Sequence, residues 1–172
     1  MKSRYAVVAA VIIIVAALVG SYYYLGYESN GTANVSVADT SIAGVSAVNI
    51  TFSEIAIHGN TTGWTNISTG SKTIDILNVT AANAVLLSSM SLKAQKYTQI
   101  RLEITKVTIV LFGVNVTATM SGNDFAVITH SFNVSAHGTT DIVIDFNLSS
   151  CLHISGLSNV TFTPNVGSVQ IS

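Results

Sequence analysis

The sequence contains few charged residues. Only 9% of its 172 residues are Asp, Glu, Lys or Arg, whereas soluble domains usually carry about 25%. Seven basic and eight acidic residues give a net charge of −1, which excludes a surface that binds nucleic acid by neutralising many phosphates. One proline and 12 glycines exclude collagen and proline-rich linkers, and the single cysteine excludes a disulfide-stapled mini-protein.

Neutral polar residues take the place of charge. The chain has 21 Ser, 19 Thr and 13 Asn alongside 49% hydrophobic residues. Serine is plentiful, but the Gly-x-Ser-x-Gly pattern of a nucleophile elbow does not occur in the sequence. We therefore predict that the protein is not an enzyme, has no cofactor or metal, and has neither a small-molecule substrate nor a nucleic-acid partner.

The N-terminus predicts export. An uncharged stretch over residues 5–27 follows two basic residues, Lys2 and Arg4. About 20 apolar helical residues span the hydrocarbon core of a bilayer, and positive charge only on the N-terminal side sends the remainder outside. A cleaved signal peptide and a retained signal anchor both remain open. In either case, residues 1–28 direct export and 29–172 form one extracellular domain.

Asn-x-Ser/Thr sequons occur far more often than chance predicts. Ten of the 13 Asn begin one, whereas about three would be expected from 40 Ser and Thr in 172 residues. They begin at Asn30, Asn34, Asn49, Asn60, Asn66, Asn78, Asn115, Asn133, Asn147 and Asn159. This motif is the acceptor for N-glycosylation of exported proteins, so we predict covalent N-glycans. On a strand, the Asn and the Ser/Thr of one sequon would share the solvent face while the middle residue points inward.

Alternating apolar and polar residues predict β-strands. In residues 97–105, Ile100 and its alternate neighbours are predicted to face inward and Tyr97 outward. Residues 140–148 alternate in the same way, and a change of phase at Ser53-Glu54 is typical of a β-bulge. Further strands are predicted over residues 33–39, 72–79, 106–112, 113–120, 125–129, 131–136, 159–163 and 168–171.

The spacing of the turns indicates the fold class. Turn signals recur every 8–15 residues or so, which suits a sandwich or barrel more than alternating β/α units. Residues 81–92 are the only segment with a plausible helical pattern. We therefore expect an all-β fold, a single β-sandwich of immunoglobulin-like or transthyretin-like type, preceded by the N-terminal hydrophobic helix.

Three single residues need separate interpretation. Cys151 has no disulfide partner and is expected to be a small buried residue. Trp64, between Gly63 and Asn66, either caps the core, which is the preferred interpretation, or serves as a platform for sugars. Arg101 is expected to pair with a residue across the strands.

The order of these segments resembles the DUF4382 family of exported β domains. The resemblance extends over about residues 33–167 and includes the run from Val48 to Ile55. Its most specific piece is Tyr97-Thr98-Gln99-Ile100-Arg101-Leu102. The family has no assigned function, so the resemblance implies a fold and export to the cell exterior but no reaction.

Heavily glycosylated exported domains of this kind are similar to the subunits of archaeal surface threads and pili, in which an N-terminal strand completes the sheet of the next subunit. The resemblance therefore implies a filament subunit that self-assembles by donor-strand complementation and meets the membrane only during export. The donor residues would be Tyr22, Tyr24, Leu25, Tyr27, Val35 and Val37. Alternatively, residues 33–39 are the domain's own first strand, and the protein is a membrane-anchored monomeric surface glycoprotein or adhesin.

Overall fold

The computed structural model describes residues 12–24, 29–39, 42–77 and 79–172. A helix, α1, extends over residues 12–24, a 3-10 turn over Ala81–Asn83, and a short helix, α2, over Leu148–Cys151. The rest is mostly strand, as the alternating pattern predicts. The strands are β1 (Asn30–Asp39), β2 (Val45–Gly59), β3 (Gly63–Asp75), β4 (Val85–Lys93), β5 (Gln95–Leu111), β6 (Val114–Thr117), β7 (Thr119–Met120), β8 (Phe125–Ile128), β9 (Phe132–Val134), β10 (Thr139–Phe146), β11 (Leu152–Ile154), β12 (Val160–Phe162) and β13 (Val166–Ile171).

The first sheet has four strands in the order β13-β10-β1-β4. Here β1 pairs in parallel with β10 and antiparallel with β4, while β13 is antiparallel to β10. The N-terminal strand of the domain is therefore an inner strand of the sheet, and both of its edges are hydrogen-bonded.

The second sheet is built on two long strands, β2 and β5, in the order β3-β2-β5-β6, with β8 and β9 also paired to β5. The register of β2 shifts between Phe52 and Glu54 against both neighbours, so the predicted bulge at Ser53-Glu54 is confirmed. On β3, Gly70 and Ser71 lie opposite this bulge and adopt positive φ angles of 66° and 57°. Glycine fits this conformation because it has no Cβ to clash.

The buried faces of the two sheets contribute to one hydrophobic cluster. Val48, Ile50 and Phe52 lie in it from β2, and Ile142 and its alternate neighbours enter it from β10. The rings of Phe52 and Phe146 meet across the two sheets with their centroids 6.1 Å apart. A third, small sheet, β11-β12-β7, lies outside these two.

The sequence predicts a helix or a helical turn over residues 81–92, and a 3-10 turn is present at Ala81–Asn83. A longer helix is wrong, because β4 begins at Val85. Because the β1–β4 register shifts at this point, Val35 faces Ser88 while Ser36 faces Leu86. The extra residue places the buried Leu87 and Met90 three positions apart, a spacing that also occurs on one face of a helix.

The predicted orientation of Tyr97 is also wrong. The alternation predicts that it faces solvent, but it is only 1% exposed and packs in the core against Phe132, with ring centroids 5.3 Å apart. The β2–β5 register shifts between His58 and Gly59, so that Gly59 faces Tyr97 while His58 faces Gln99. The extra residue, Thr98, reverses the phase and turns Tyr97 inward.

None of the helices in the described ranges combines the length and the apolarity needed to cross a membrane. The predicted hydrophobic segment, residues 5–27, falls only partly within those ranges.

Candidate functional site

The first strand, β1, lies between two partners that are distant in sequence. Its residue Thr32 faces Thr139 of β10 and Ser91 of β4. The pairing continues along the strand as far as Asp39, which faces Phe146. Removing β1 from this position would separate β10 from β4 and leave two unpaired inner edges.

The side chains of β1 alternate from residue 33 to residue 37, beyond which Ala38 and Asp39 are both buried. Ala33, Val35 and Val37 point into the core and are 0% exposed, whereas Asn34 and Ser36 are only half-buried on the other face. Fully burying a valine side chain contributes about 1.5–3 kcal/mol. The inward residues are small, so β1 fits into a narrow apolar space between its two neighbours.

Both ends of β1 are fixed by close contacts. At Gly31, an added Cβ would lie 2.1 Å from the backbone oxygen of Ser135, so only glycine fits there. At the other end, Asp39 is buried, and its carboxylate accepts a hydrogen bond from the backbone N–H of Leu148, 3.4 Å away. The sequence pattern gave no indication of either contact, because their partners are more than 100 residues away.

The structure places the predicted donor residues in different elements. Val35 and Val37 lie in β1, in the domain's own sheet. Tyr22 and Tyr24 lie in α1 with exposed side chains, Tyr22 at 81%. Leu25 and Tyr27 lie outside the described residues.

The described sequon asparagines all avoid the core. Seven are exposed, namely Asn30, Asn60, Asn66, Asn115, Asn133, Asn147 and Asn159, while Asn34 and Asn49 are half-buried. Asn78 lies outside the described residues. The middle residue is buried in several sequons on strands, as at Val35, Ile50 and Val134. These sequons therefore follow the pleat as predicted.

Two sequon side chains already make hydrogen bonds. The Nδ2 of Asn34 donates to Oδ1 of Asp141 on β10, 2.7 Å away. The Oδ1 of Asn147 accepts from the hydroxyl of Ser149, at 2.6 Å, and from the N–H of Ser150, at 3.3 Å. Because a glycan would be attached at Nδ2, Asn147 keeps that nitrogen outward while its oxygen caps α2.

Trp64 lies on the outer face of the second sheet, and it is 41% exposed. The core-capping interpretation is therefore wrong. The guanidinium carbon of Arg101 lies 4.1 Å from the centre of the indole, a cation–π contact. The ring of His58 meets the indole edge-on, with the ring centroids 5.0 Å apart. Sequence reasoning missed this cluster because its members come from three strands: Trp64 of β3 faces His58 of β2, and Arg101 of β5 reaches the indole from the neighbouring row, where it faces Ala56.

Arg101 has its other contacts within the same cluster. Its Nη2 donates to Oε1 of Gln99, 3.2 Å away, and its buried Nε has no hydrogen-bond partner in the part of the chain that the structure describes. Glu103, the nearest carboxylate along β5, accepts instead from the hydroxyl of Ser53. The guanidinium is therefore held mainly by the indole.

The Cys151 thiol is buried, as predicted. Burial raises its pKa to about 11, the backbone hydrogen bond with Asn165 opposes this rise, and the nearby Asp39 carboxylate adds to it. The thiol therefore stays protonated at neutral pH and is a poor nucleophile.

Among the described residues, no group of three His, Cys, Asp or Glu side chains is arranged to hold a metal ion. An open cleft of about 310 Å³ lies at the edge of the two large sheets, where Phe125 and Val127 of β8 approach Pro164 and Val166. Its lining has no titratable side chain.

These features define a class: a β-rich domain whose many glycosylation sequons face outward and whose N-terminal strand completes an inner position of its sheet. The chain belongs to the DUF4382 family, a domain of unknown function, whose family model matches residues 30–164. No curated protein and no solved structure matches the chain.

Proposed function

We propose that the protein is a structural subunit of an extracellular, glycosylated surface filament, in which β1 of one subunit fills the sheet of the next. The observation that carries the proposal is the inner position of β1 between β10 and β4. Its domain would be a single β-sandwich of immunoglobulin-like or transthyretin-like type, made by the two large sheets around their shared core.

A sheet without β1 would be incomplete. The unpaired edges of β10 and β4 would present free N–H and C=O groups beside an apolar groove, which is an aggregation hazard. A strand from another chain can fill such a groove by main-chain hydrogen bonds, with alternate side chains entering it. Ala33, Val35 and Val37 supply that alternation.

The position of β1 in the chain makes exchange geometrically simple. It is the first strand of the domain and is joined to β2 only by residues 40–44. The first strand of a domain can therefore occupy its own sheet or that of a neighbour with the same contacts, which is the basis of strand exchange between identical subunits. In a row of such exchanges each subunit gives one strand and receives one.

The outward sequons agree with this role. Glycans on the exposed Asn residues would not meet the groove that receives β1, because their side chains avoid the core. The composition, with neutral polar groups in place of charge, suits a sugar-covered surface outside the cell. The proposal needs no cofactor, metal or catalytic residue.

The alternative function is a membrane-anchored, monomeric surface glycoprotein or adhesin. One observation favours it, since β1 completes the sheet of its own chain in the structure. The two functions use the same strand contacts and differ in whether β1 and its partners belong to one chain.

A pair of engineered cysteines distinguishes the two. Thr32 of β1 and Ser91 of β4 face each other, so the variant Thr32→Cys/Ser91→Cys should form a disulfide between subunits in a filament. Full-length protein is isolated from the surface of the exporting cells and run on a denaturing gel without reductant. We expect a ladder of covalent multimers that collapses to monomer on reduction.

The matched control is Thr51→Cys/Thr73→Cys, a facing pair on β2 and β3, strands that stay in one subunit. It should remain monomeric on the gel. The native Cys151 does not compete, because its buried thiol stays protonated. A Thr32→Cys/Ser91→Cys variant that is oxidised but only monomeric, with no filaments by electron microscopy, would establish the monomeric alternative.

A further inference from the structure

The outer face of the second sheet carries an exposed indole next to a sequon. We propose that Trp64 is the stacking platform for the first sugar residues attached to Asn66. The inference rests on the glycosylation part of the proposed function and is independent of filament assembly.

The positions of the two residues allow the contact. Trp64 and Asn66 lie two positions apart on β3, and both are exposed. Residues at this spacing point to the same face and lie about 7 Å apart along the strand. A sugar joined to Nδ2 of Asn66 can therefore lie back along the strand over the indole.

The chemistry of the two surfaces is complementary. The face of an indole ring carries partial negative charge, and the axial C–H bonds of a sugar ring form a flat, apolar and slightly positive face. Arg101 lies against one side of the indole, 4.1 Å from its centre, and its Nε is fully buried. Trp64 is still 41% exposed with Arg101 in place, so part of the indole remains open to solvent.

The indole is held in place before any sugar arrives. His58 contacts it edge-on, and His58 Nδ1 is itself 3.1 Å from the hydroxyl of Thr98. A ring that is already oriented loses little conformational entropy when it binds. Covalent attachment at Asn66 also gives the sugar a high effective concentration at the ring, which favours this glycan over a free saccharide or the glycan of another molecule.

Fluorescence reports on this site alone, because Trp64 is the only tryptophan in the chain. The sequon of Asn66 ends at Ser68, so Ser68→Ala removes the glycan and keeps Asn66, whereas Ser68→Thr keeps the sequon. The full glycosylated chain and both variants are compared by acrylamide quenching, and mass spectrometry determines whether Asn66 is occupied. We expect the quenching constant of the wild type and of Ser68→Thr to be about half that of Ser68→Ala or lower, since the sugar would cover indole surface that Arg101 leaves open.

Further variants make the result specific. Asn66→Gln, which also lacks the glycan, should quench like Ser68→Ala. Thr117→Ala removes the sequon of Asn115 on β6 and should quench like the wild type, because that glycan lies on another strand. If the sugar stacks on the indole, loss of the glycan in Ser68→Ala should lower the melting temperature. In a Trp64→Ala background the same substitution should cause no further fall.

Equal quenching of wild type and Ser68→Ala, with Asn66 occupied in the wild type, would overturn the inference. An unoccupied Asn66 would overturn it as well. Electron microscopy of the same material tests the filament separately, so that a monomeric protein with a shielded Trp64 would contradict the filament and support the platform.

Discussion

The two large sheets differ in the sequence separation between strands that pair with each other. In the second sheet, β2 and β3 form a hairpin in which Gly59 faces Gly63. In the first sheet, β1 and β10 pair Thr32 with Thr139. Closing a short loop costs less chain entropy than closing a long one, and local pairs form faster. We therefore expect the second sheet to form early and the first to be completed last.

The same difference distinguishes the second sheet, whose strands stay in one subunit, from β1, which a copy from another chain can replace. In the second sheet, the pairs β2–β3 and β5–β6 join consecutive strands, so these pairs are held by chain connectivity as well as by hydrogen bonds. By contrast, β1 is held in the first sheet by its contacts, with one covalent connection to the rest of the domain. The same contacts can be made by a copy of β1 from another chain. Substitutions in β1 and in the second sheet should therefore have different consequences.

The largest loss of stability is expected from a charged side chain on β1, in the groove between β10 and β4. Val35→Asp would place a carboxylate at a position that is 0% exposed, between β10 and β4. We expect it to lower the free energy of unfolding by about 4 kcal/mol or more, because apolar burial is lost and a charge is desolvated. Urea unfolding measures the change, and filaments should also be lost.

The matched control for this substitution is Val127→Asp on β8 of the second sheet, where the side chain is exposed. It should change the free energy of unfolding by no more than about 0.5 kcal/mol. Equal losses in both variants would contradict the idea that the groove around β1 is the sensitive region.

A smaller effect is expected at the start of β1. Gly31→Ala keeps the sequon of Asn30 but brings a methyl group 2.1 Å from the oxygen of Ser135, so the strand must shift. We expect a loss of about 1–3 kcal/mol, the usual range for overpacking, measured by urea unfolding. Gly167→Ala on β13 should cost less, because its nearest contact would be 3.3 Å. The reverse order would show that the β1 end is not tightly seated.

Local patterns predicted much of this fold. The alternation in residues 140–148 corresponds to β10 with Ile142, Ile144 and Phe146 buried, and the change of phase at Ser53-Glu54 marks a real bulge. Both signals are contained within a few consecutive residues. The outward direction of the sequons follows from the same two-residue period.

Contacts between distant segments could not be predicted in this way. The bulges near Leu87 and Thr98 depend on how β4 and β5 pair with β1 and β2. The first made residues 81–92 resemble a helix, and the second reversed the predicted orientation of Tyr97. The inner position of β1 depends on β10, more than 100 residues later. The cluster of Trp64, His58 and Arg101 depends on the pairing of β3, β2 and β5, which brings the three side chains together only once the strands are adjacent.

The smallest effect on stability is expected from ionisation of the Cys151 thiol at high pH. This thiol reports on the C-terminal end of β1, because Asp39 lies close enough to raise its pKa. An unfolded thiol has a pKa of about 9.0, and burial raises that of the folded protein to about 11. The folded state therefore keeps its proton to higher pH than the unfolded state. This group's contribution to stability is fully present below about pH 9 and is lost as the pH rises towards 11.

Urea unfolding of the wild type and of Cys151→Ala, compared over about pH 8 to 11, isolates this contribution, since the two proteins differ only at this group. The difference between the two should shrink steadily with rising pH. In Asp39→Asn the decline should still begin near pH 9, where the unfolded thiol titrates, but it should end at a lower pH, because the loss of a negative charge near the thiol lowers the pKa of the folded state. Parallel curves for wild type and Cys151→Ala would mean that the thiol is not shielded, and an unchanged end of the decline in Asp39→Asn would mean that the end of β1 does not reach it.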